Sequence, residues 1–149
     1  CALADGDTPI YLDAPLSTVR PLTAWLAFQT GAPVTERPAN AAFAVISKPA
    51  LMPTFDNFGL GSQEYPETAT TIIMELPALS GGEILTLQGP GIKHEQTIAP
   101  VGLPDHFKAS WTNNGKLFPR GVDLILTAAD ALICLPRTSR LVAHPTGKE

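Results

Sequence analysis

The sequence predicts an α/β fold in which a mixed sheet is covered by helices. Three observations carry this. β-Branched runs are bounded by Gly and Pro, two stretches place apolar residues at helical spacing between those runs, and a hairpin-like pair of strands lies near the C-terminal end. Strands and helices alternate, while the second half adds antiparallel pairs, so a sheet of mixed direction is expected.

The elements follow in order. Asp5-Gly6-Asp7 is a turn leading into Thr8-Pro9-Ile10-Tyr11-Leu12, where Ile10 and Leu12 share one side of a short strand. From Ser17 to Thr30 the period becomes helical. Val19, Leu22 and Leu26 form the stripe, with Trp25 beside it, and Ser17 or Thr18 is expected as the cap. Pro21 is tolerable only in a first turn, and Gly31 followed by Pro33 ends the helix. Phe43-Ala44-Val45-Ile46 reads as a buried strand, and residues 48–61, containing Pro and Gly, as a loop. Strand signals return at residues 68–76, most strongly at Thr70-Thr71-Ile72-Ile73. Gly81-Gly82 separates this run from Glu83-Ile84-Leu85-Thr86-Leu87, in the manner of a hairpin or short connection, and Gly89-Pro90-Gly91 ends that second run. A second helix is predicted after Pro104, with Leu103, Phe107 and Trp111 stacked at four-residue intervals and Gly115 near its end. Residues 122–126 and 131–135, joined through Ala128-Ala129-Asp130, suit an antiparallel hairpin.

The chain has 149 residues, enough for one domain with its own core. Hydrophobic residues make up 44% and charged residues 16%, the balance of a folded chain rather than a disordered one. The formal net charge is −4 and no basic stripe is present, which argues against non-specific nucleic-acid binding. No apolar run approaches the roughly 20 residues needed to span a bilayer. A cytoplasmic protein is expected. There is no internal repeat and no linker between domains.

Of the two cysteines, Cys1 and Cys134, neither sits in a metal or redox spacing, and Cys134 in Ala131-Leu132-Ile133-Cys134-Leu135 is expected to be a small buried hydrophobe. His94, His106 and His144 lack ligand spacing, so no metal is expected. Glu64 and Glu67 are two carboxylates three apart, readable either as an acid–base pair or as a polar loop. Gly89-Pro90-Gly91 could present backbone N–H groups to an anion, although Pro90 has none to offer. Arg120 and Asp123 flank the start of the strand at 122–126. Asp123 alternates with Val122 and Leu124 and needs a hydrogen-bonding or charged partner. Pro136-Arg137-Thr138-Ser139-Arg140 closes the hairpin with two guanidinium groups and two hydroxyls, suited to a phosphate, to a partner's carboxylate or to an internal ion pair. Candidate ligand or partner contacts are therefore Arg120, Asp123, Arg137, Thr138, Gly91 and Glu67, with no residue assigned a catalytic role.

Several of these segments resemble the PhnH family of the bacterial carbon–phosphorus lyase machinery. The likeness runs through Ala2-Leu3-Ala4-Asp5-Gly6-Asp7-Thr8-Pro9, then Gly61 with Tyr65-Pro66-Glu67-Thr68-Ala69-Thr70-Thr71-Ile72-Ile73. It continues through Leu79-Ser80-Gly81-Gly82 and Leu85-Thr86-Leu87-Gln88-Gly89-Pro90-Gly91-Ile92. Phe118-Pro119-Arg120-Gly121-Val122-Asp123-Leu124-Ile125-Leu126 and Leu135-Pro136-Arg137-Thr138 complete the order. Arg120 stands where members of the family often have Leu. The family's N-terminal helical portion has no counterpart here, so a single domain over residues 1–149 lacking that segment is expected.

The resemblance implies a three-layer α/β/α sandwich with a mixed sheet, akin to pyridoxal-phosphate-dependent transferases but without that cofactor. It also implies an accessory subunit that joins G, I and J subunits in a core complex and forms a homodimer when alone. The expected role is to support formation of ribose 1-alkylphosphonate 5-triphosphate from MgATP and an alkylphosphonate. No cofactor is expected. None of Lys48, Lys93, Lys108, Lys116 or Lys148 lies in an apolar run that would lower its pKa for a Schiff base. The competing reading is a nucleotide- or phosphonate-binding protein acting through a basic pocket.

Overall fold

A computed structural model of the chain describes residues 2–143. The first strand, β1 (Ile10–Leu12), ends at Asp13, whose side chain accepts from the Leu16 N–H and caps a one-turn helix, α1 (Ala14–Ser17). The longer helix α2 (Arg20–Thr30) has Pro21 in its first turn and stops at Gly31, as the sequence indicates. Its N-cap is Val19, which offers no side-chain oxygen. Ser17 and Thr18 were expected as caps but close α1 instead, where their hydroxyls donate back to the Ala14 and Pro15 carbonyls. The helical pattern spans two elements because Pro21 cannot continue α1.

Strands β2 (Val34–Thr35), β3 (Phe43–Ile46) and β4 (Thr71–Glu75) follow, then β5 (Leu85–Gln88), β6 (Gln96–Ile98) and helix α3 (Phe107–Lys116). The hairpin β7 (Asp123–Ala128) and β8 (Ala131–Leu135) and a final short strand, β9 (Arg140–Leu141), complete the order. The main sheet has six strands in the order β2-β1-β3-β4-β7-β8, parallel except for the antiparallel edge strand β8. The mixed α/β architecture therefore holds. A second sheet, β6-β5-β9, is antiparallel.

That second sheet corrects one expectation. β4 and β5 do not form a hairpin: they lie in different sheets, and Gly82 serves a close approach rather than a tight turn. A Cβ at Gly82 would come within 2.2 Å of the Pro100 carbonyl oxygen. Ile84 falls outside β5 and is exposed.

Register decides which residues share a face. Ala44, Ile72, Leu124 and Leu135 form one row across four strands, and Ile46, Met74, Leu126 and Ile133 the next. All but Ile133 are buried, and Ile133 packs against the cluster. Over this face lie Phe107 and Trp111 of α3, Leu85, Leu87 and Ile98 of the second sheet, and Met52, Phe55 and Phe58 from the long segment between β3 and β4. That segment is irregular, as expected, yet it supplies core. Phe55 meets Phe107 and Trp111 edge to face, at centroid distances of 6.0 and 6.1 Å.

The opposite face carries Val45, Ile73, Ile125 and Cys134 in one row. Here α1 and α2 cover only the β1 end, packing Leu16, Leu22 and Leu26 on Ile10, Leu12 and Ala32. Cys134 is therefore exposed rather than buried, because the edge strand β8 turns it toward this uncovered side. Trp25 and Phe28 of α2 are also exposed, at 54% and 86%.

Candidate functional site

The groups singled out by chemistry meet where β7 begins and β8 ends. β7 starts with an alternation in which Val122 and Leu124 are buried, while Asp123 turns to the other side of the sheet. Its carboxylate takes the backbone N–H of Arg137 at 2.7 Å, the Nε of Arg137 at 3.1 Å and its Nη2 at 2.6 Å. The pairing is bidentate and largely sheltered, with side-chain exposures of 14% for Arg137 and 31% for Asp123. The remaining terminal nitrogen, Nη1, donates to the carbonyls of Pro66 at 2.8 Å and Pro119 at 3.2 Å. One guanidinium thus joins the 3₁₀ turn at Pro66–Thr68, the loop before β7 and the turn after β8.

The loop before β7 is held from below by α3. Asn114 brackets Val122, its Oδ1 accepting the Val122 N–H at 2.8 Å and its Nδ2 donating to the Val122 carbonyl at 3.0 Å. Gly121 sits at φ 121° with its Cα against this amide, and a Cβ there would lie 2.8 Å from Asn114 Oδ1. The turn after β8 is held by Trp111, whose Nε1–H donates to the Ser139 carbonyl at 3.1 Å.

Beside this joint is a cleft of ≈ 360 Å³ lined by Gln88, Gly89, Pro90, Phe118, Thr138 and Arg140, together with Arg137 and Gly115. Arg137 and Thr138 are thus brought together with the Gly-Pro turn. Gly91, at φ 84°, is exposed at the far end of that turn and does not line the cleft. Glu67 is exposed on the 3₁₀ turn next to Pro66, and forms no ion pair with Arg137, which pairs with Asp123. Arg120 lies half-buried in the loop before β7, and its buried Nε has no hydrogen-bond partner.

Arg137 has five N–H donors on its side chain, and the four contacts above occupy most of them. What this geometry does chemically is fix three segments together, with Arg140 and Thr138 left facing the cleft.

The other candidates separate. His106 stands at the start of α3, with Nε2 3.1 Å from the Met52 carbonyl and Nδ1 2.9 Å from Ser110 Oγ. Only a donor can pair with a carbonyl, so Nε2 donates to Met52, and Nδ1 pairs with the Ser110 hydroxyl. His94 is exposed, Glu64 is exposed, and His144, Cys1 and Lys148 lie outside the described residues. Among the described residues no group of acidic, His and Cys side chains is placed to hold a metal ion, and no helix is long and apolar enough to cross a membrane.

Sequence reasoning missed a second polar joint. Buried Asp13 receives the Ser47 N–H at 2.8 Å, the Lys48 N–H at 2.9 Å and the Ser47 hydroxyl at 3.0 Å. It ties the C-terminal ends of β1 and β3 where the strand order reverses. The signal was present: an Asp directly before Ala-Pro marks a helix cap.

The sequence matches the bacterial phosphonate metabolism protein (PhnH) family over residues 1–142. The chain belongs to the PhnH family. The alpha-D-ribose 1-methylphosphonate 5-triphosphate synthase subunit PhnH of Rhizobium meliloti is 50% identical over 139 residues, covering 93% of this chain and 69% of the relative. A putative C-P lyase subunit protein HtxG of Stutzerimonas stutzeri is 38% identical over 82 residues, 55% of this chain and 42% of that protein. The PhnH match includes the whole Asp123–Arg137 joint.

Proposed function

We propose that this chain is an accessory subunit of a carbon–phosphorus lyase assembly, working with G, I and J subunits in the cytoplasm. In this role it supports formation of ribose 1-alkylphosphonate 5-triphosphate from MgATP and an alkylphosphonate. The observation that carries the reading is the family match across residues 1–142, together with a 50% identical relative whose name is that of a subunit of the corresponding synthase. The geometry supports it in one respect. The arginine best placed for an oxyanion is engaged with Asp123 and two carbonyls, so it acts as a brace within the chain.

The finer fold assignment belongs to the same proposal: a single domain with a three-layer α/β/α arrangement akin to pyridoxal-phosphate-dependent transferases. It is supported by the half-covered row Val45, Ile73 and Ile125, an apolar face suited to a further helical layer. The match to the Rhizobium meliloti relative spans 69% of that protein's length.

The test is native mass spectrometry of the chain mixed with G, I and J subunits. A stable mixed complex is the expected outcome. Failure to associate with any of the three overturns the subunit reading.

A second reading is favoured by the cleft beside the joint, where Arg140 is exposed and forms no ion pair among the described residues. Under this reading Arg140 and Thr138, with the Gly89-Pro90 turn, hold a small oxyanion such as a phosphonate. Arg120, Gly91 and Glu67 do not line this cleft and take no part in this reading. Saturable heat on titration with methylphosphonate, lost in Arg140→Ala, is expected if it holds. The absence of heat in the parent chain removes it.

A further inference from the structure

We propose that the cleft beside the Asp123–Arg137 joint is one half of a site for a diphosphate group, with Arg140 gripping one phosphoryl unit and Lys116 the other. The proposal deepens the oxyanion-binding reading and rests on it. A second cleft, of ≈ 270 Å³, lies next to the first, and its lining includes Trp111, Lys116 and Ser139. Gly115 and Arg140 line both clefts, so the two meet at these residues. The first alone, at ≈ 360 Å³, falls within the range of about 300–1,000 Å³ common to small-molecule sites. The joined pair has room for more than one oxyanion.

Charge favours an anion here although the chain as a whole carries −4. No carboxylate lines either cleft. Arg137 is already neutralised by Asp123, whereas Arg140 and Lys116 are exposed and form no ion pair among the described residues. Glu95 accepts the side-chain amide of Gln88 at 3.0 Å and lines neither cleft. Two cations facing one space repel each other, and a polyanion between them relieves that repulsion. Lys116 also suits the C-terminal end of the α3 dipole, which accounts for one cation but not for Arg140 opposite it.

Both cations stand on braced backbone. Arg140 pairs with Gln88 in the second sheet, and Trp111 of α3 holds the carbonyl of Ser139 just before it. The helix that carries Lys116 is thus bonded to the chain that carries Arg140. The two side chains are also of complementary kinds. An arginine fork takes two oxygens of a terminal phosphoryl group, and a lysine adds a point charge on its neighbour.

Gly115 supplies an independent observation. It lies within α3, where glycine is a poor helix former. It is not among the glycines with positive φ, and a Cβ there would meet no neighbouring element within 4 Å. Neither backbone conformation nor internal packing calls for glycine at this position. Its effect is to keep open the junction of the two clefts, where the bridging oxygen of a diphosphate would pass.

The test is titration calorimetry of the full chain, without divalent cations, using methylphosphonate, inorganic phosphate, inorganic pyrophosphate and uridine diphosphate. Pyrophosphate is expected to bind about tenfold or more tightly than phosphate. Lys116→Ala should remove that preference, and Arg140→Ala should remove binding of every ligand. Gly115→Leu keeps all the charges but fills the junction, so the preference should vanish with no fall in melting temperature. Uridine diphosphate binding as tightly as pyrophosphate assigns the site to a diphosphate ester, and pyrophosphate binding alone assigns it to the free anion. Pyrophosphate that binds no more tightly than phosphate overturns the proposal. So does a preference that survives Lys116→Ala or Gly115→Leu. Methylphosphonate heat without any gain for pyrophosphate leaves the single-oxyanion reading standing while this one falls, and no heat from any of the four ligands removes both.

Discussion

The two faces of the main sheet share apolar rows at the same strands but are finished differently. On one, Ala44, Ile72, Leu124 and Leu135 are almost fully enclosed by α3, the second sheet and the aromatic segment between β3 and β4. On the other, Val45, Ile73, Ile125 and Cys134 sit in the adjacent row, and only the β1 end has helices over it. Neighbouring residues on one strand therefore live in opposite environments. The difference teaches that apolar alternation marks where a sheet can be covered, while the cover itself is a tertiary event. Parallel strands are ordinarily apolar on both faces because both are covered. Here the second face is less apolar than the covered one, since it carries Thr71, Glu75, Asp123 and Thr127 beside the half-buried Val45, Ile73 and Ile125.

Substitutions can break or sharpen this contrast. Trp111→Ala should have the largest effect, about 3–5 kcal/mol in urea unfolding. It empties the space beneath Phe55 and Phe107 and releases the Ser139 carbonyl. Leu124→Ala and Ile125→Ala test the two faces on adjacent residues of β7. We expect about 3 kcal/mol for the first and about 1 kcal/mol or less for the second. Equal losses would show that the second face is covered in solution. Arg137→Lys keeps the charge but loses the fork, and is expected to cost about 1.5 kcal/mol, because Pro66 and Pro119 carbonyls and one Asp123 oxygen lose their donors together. A melting temperature unchanged in this variant would remove the brace interpretation. The smallest effect belongs to Phe28→Ser on the exposed side of α2, within about 0.5 kcal/mol by thermal melt.

Local features were legible in the sequence. The hairpin of β7 and β8, the stop at Gly31 and the Phe107–Trp111 stack of α3 each depend on spacing within one segment, and each is found. What escaped depends on partners distant in sequence. Met52, Phe55 and Phe58 have no helical or alternating period, so their place in the core comes from partners distant in sequence, α3 for Phe55 and Tyr11 of β1 for Phe58. Cys134 looked buried because its neighbours are apolar, whereas its exposure follows from β8 being an edge with no element over it. At the site, Asp123 was marked as needing a partner by its position between buried residues, and Arg137 as a strong carboxylate binder. The sequence pointed to both halves without joining them, since only the antiparallel return of β8 sets residue 137 beside residue 123.

The order of strands also shapes how the chain reaches this state. β7 and β8 meet through a two-residue turn, so their hairpin can close early and alone. β4 must find β7 across β5, β6 and α3, pairing Thr71 with Asp123 only after a long loop has closed. For that interval the early hairpin has both of its edges open, one awaiting β4 and the other paired with no strand among the described residues. Refolding yield should therefore fall as protein concentration rises, with misjoined species trapped through the side that β4 has not yet occupied.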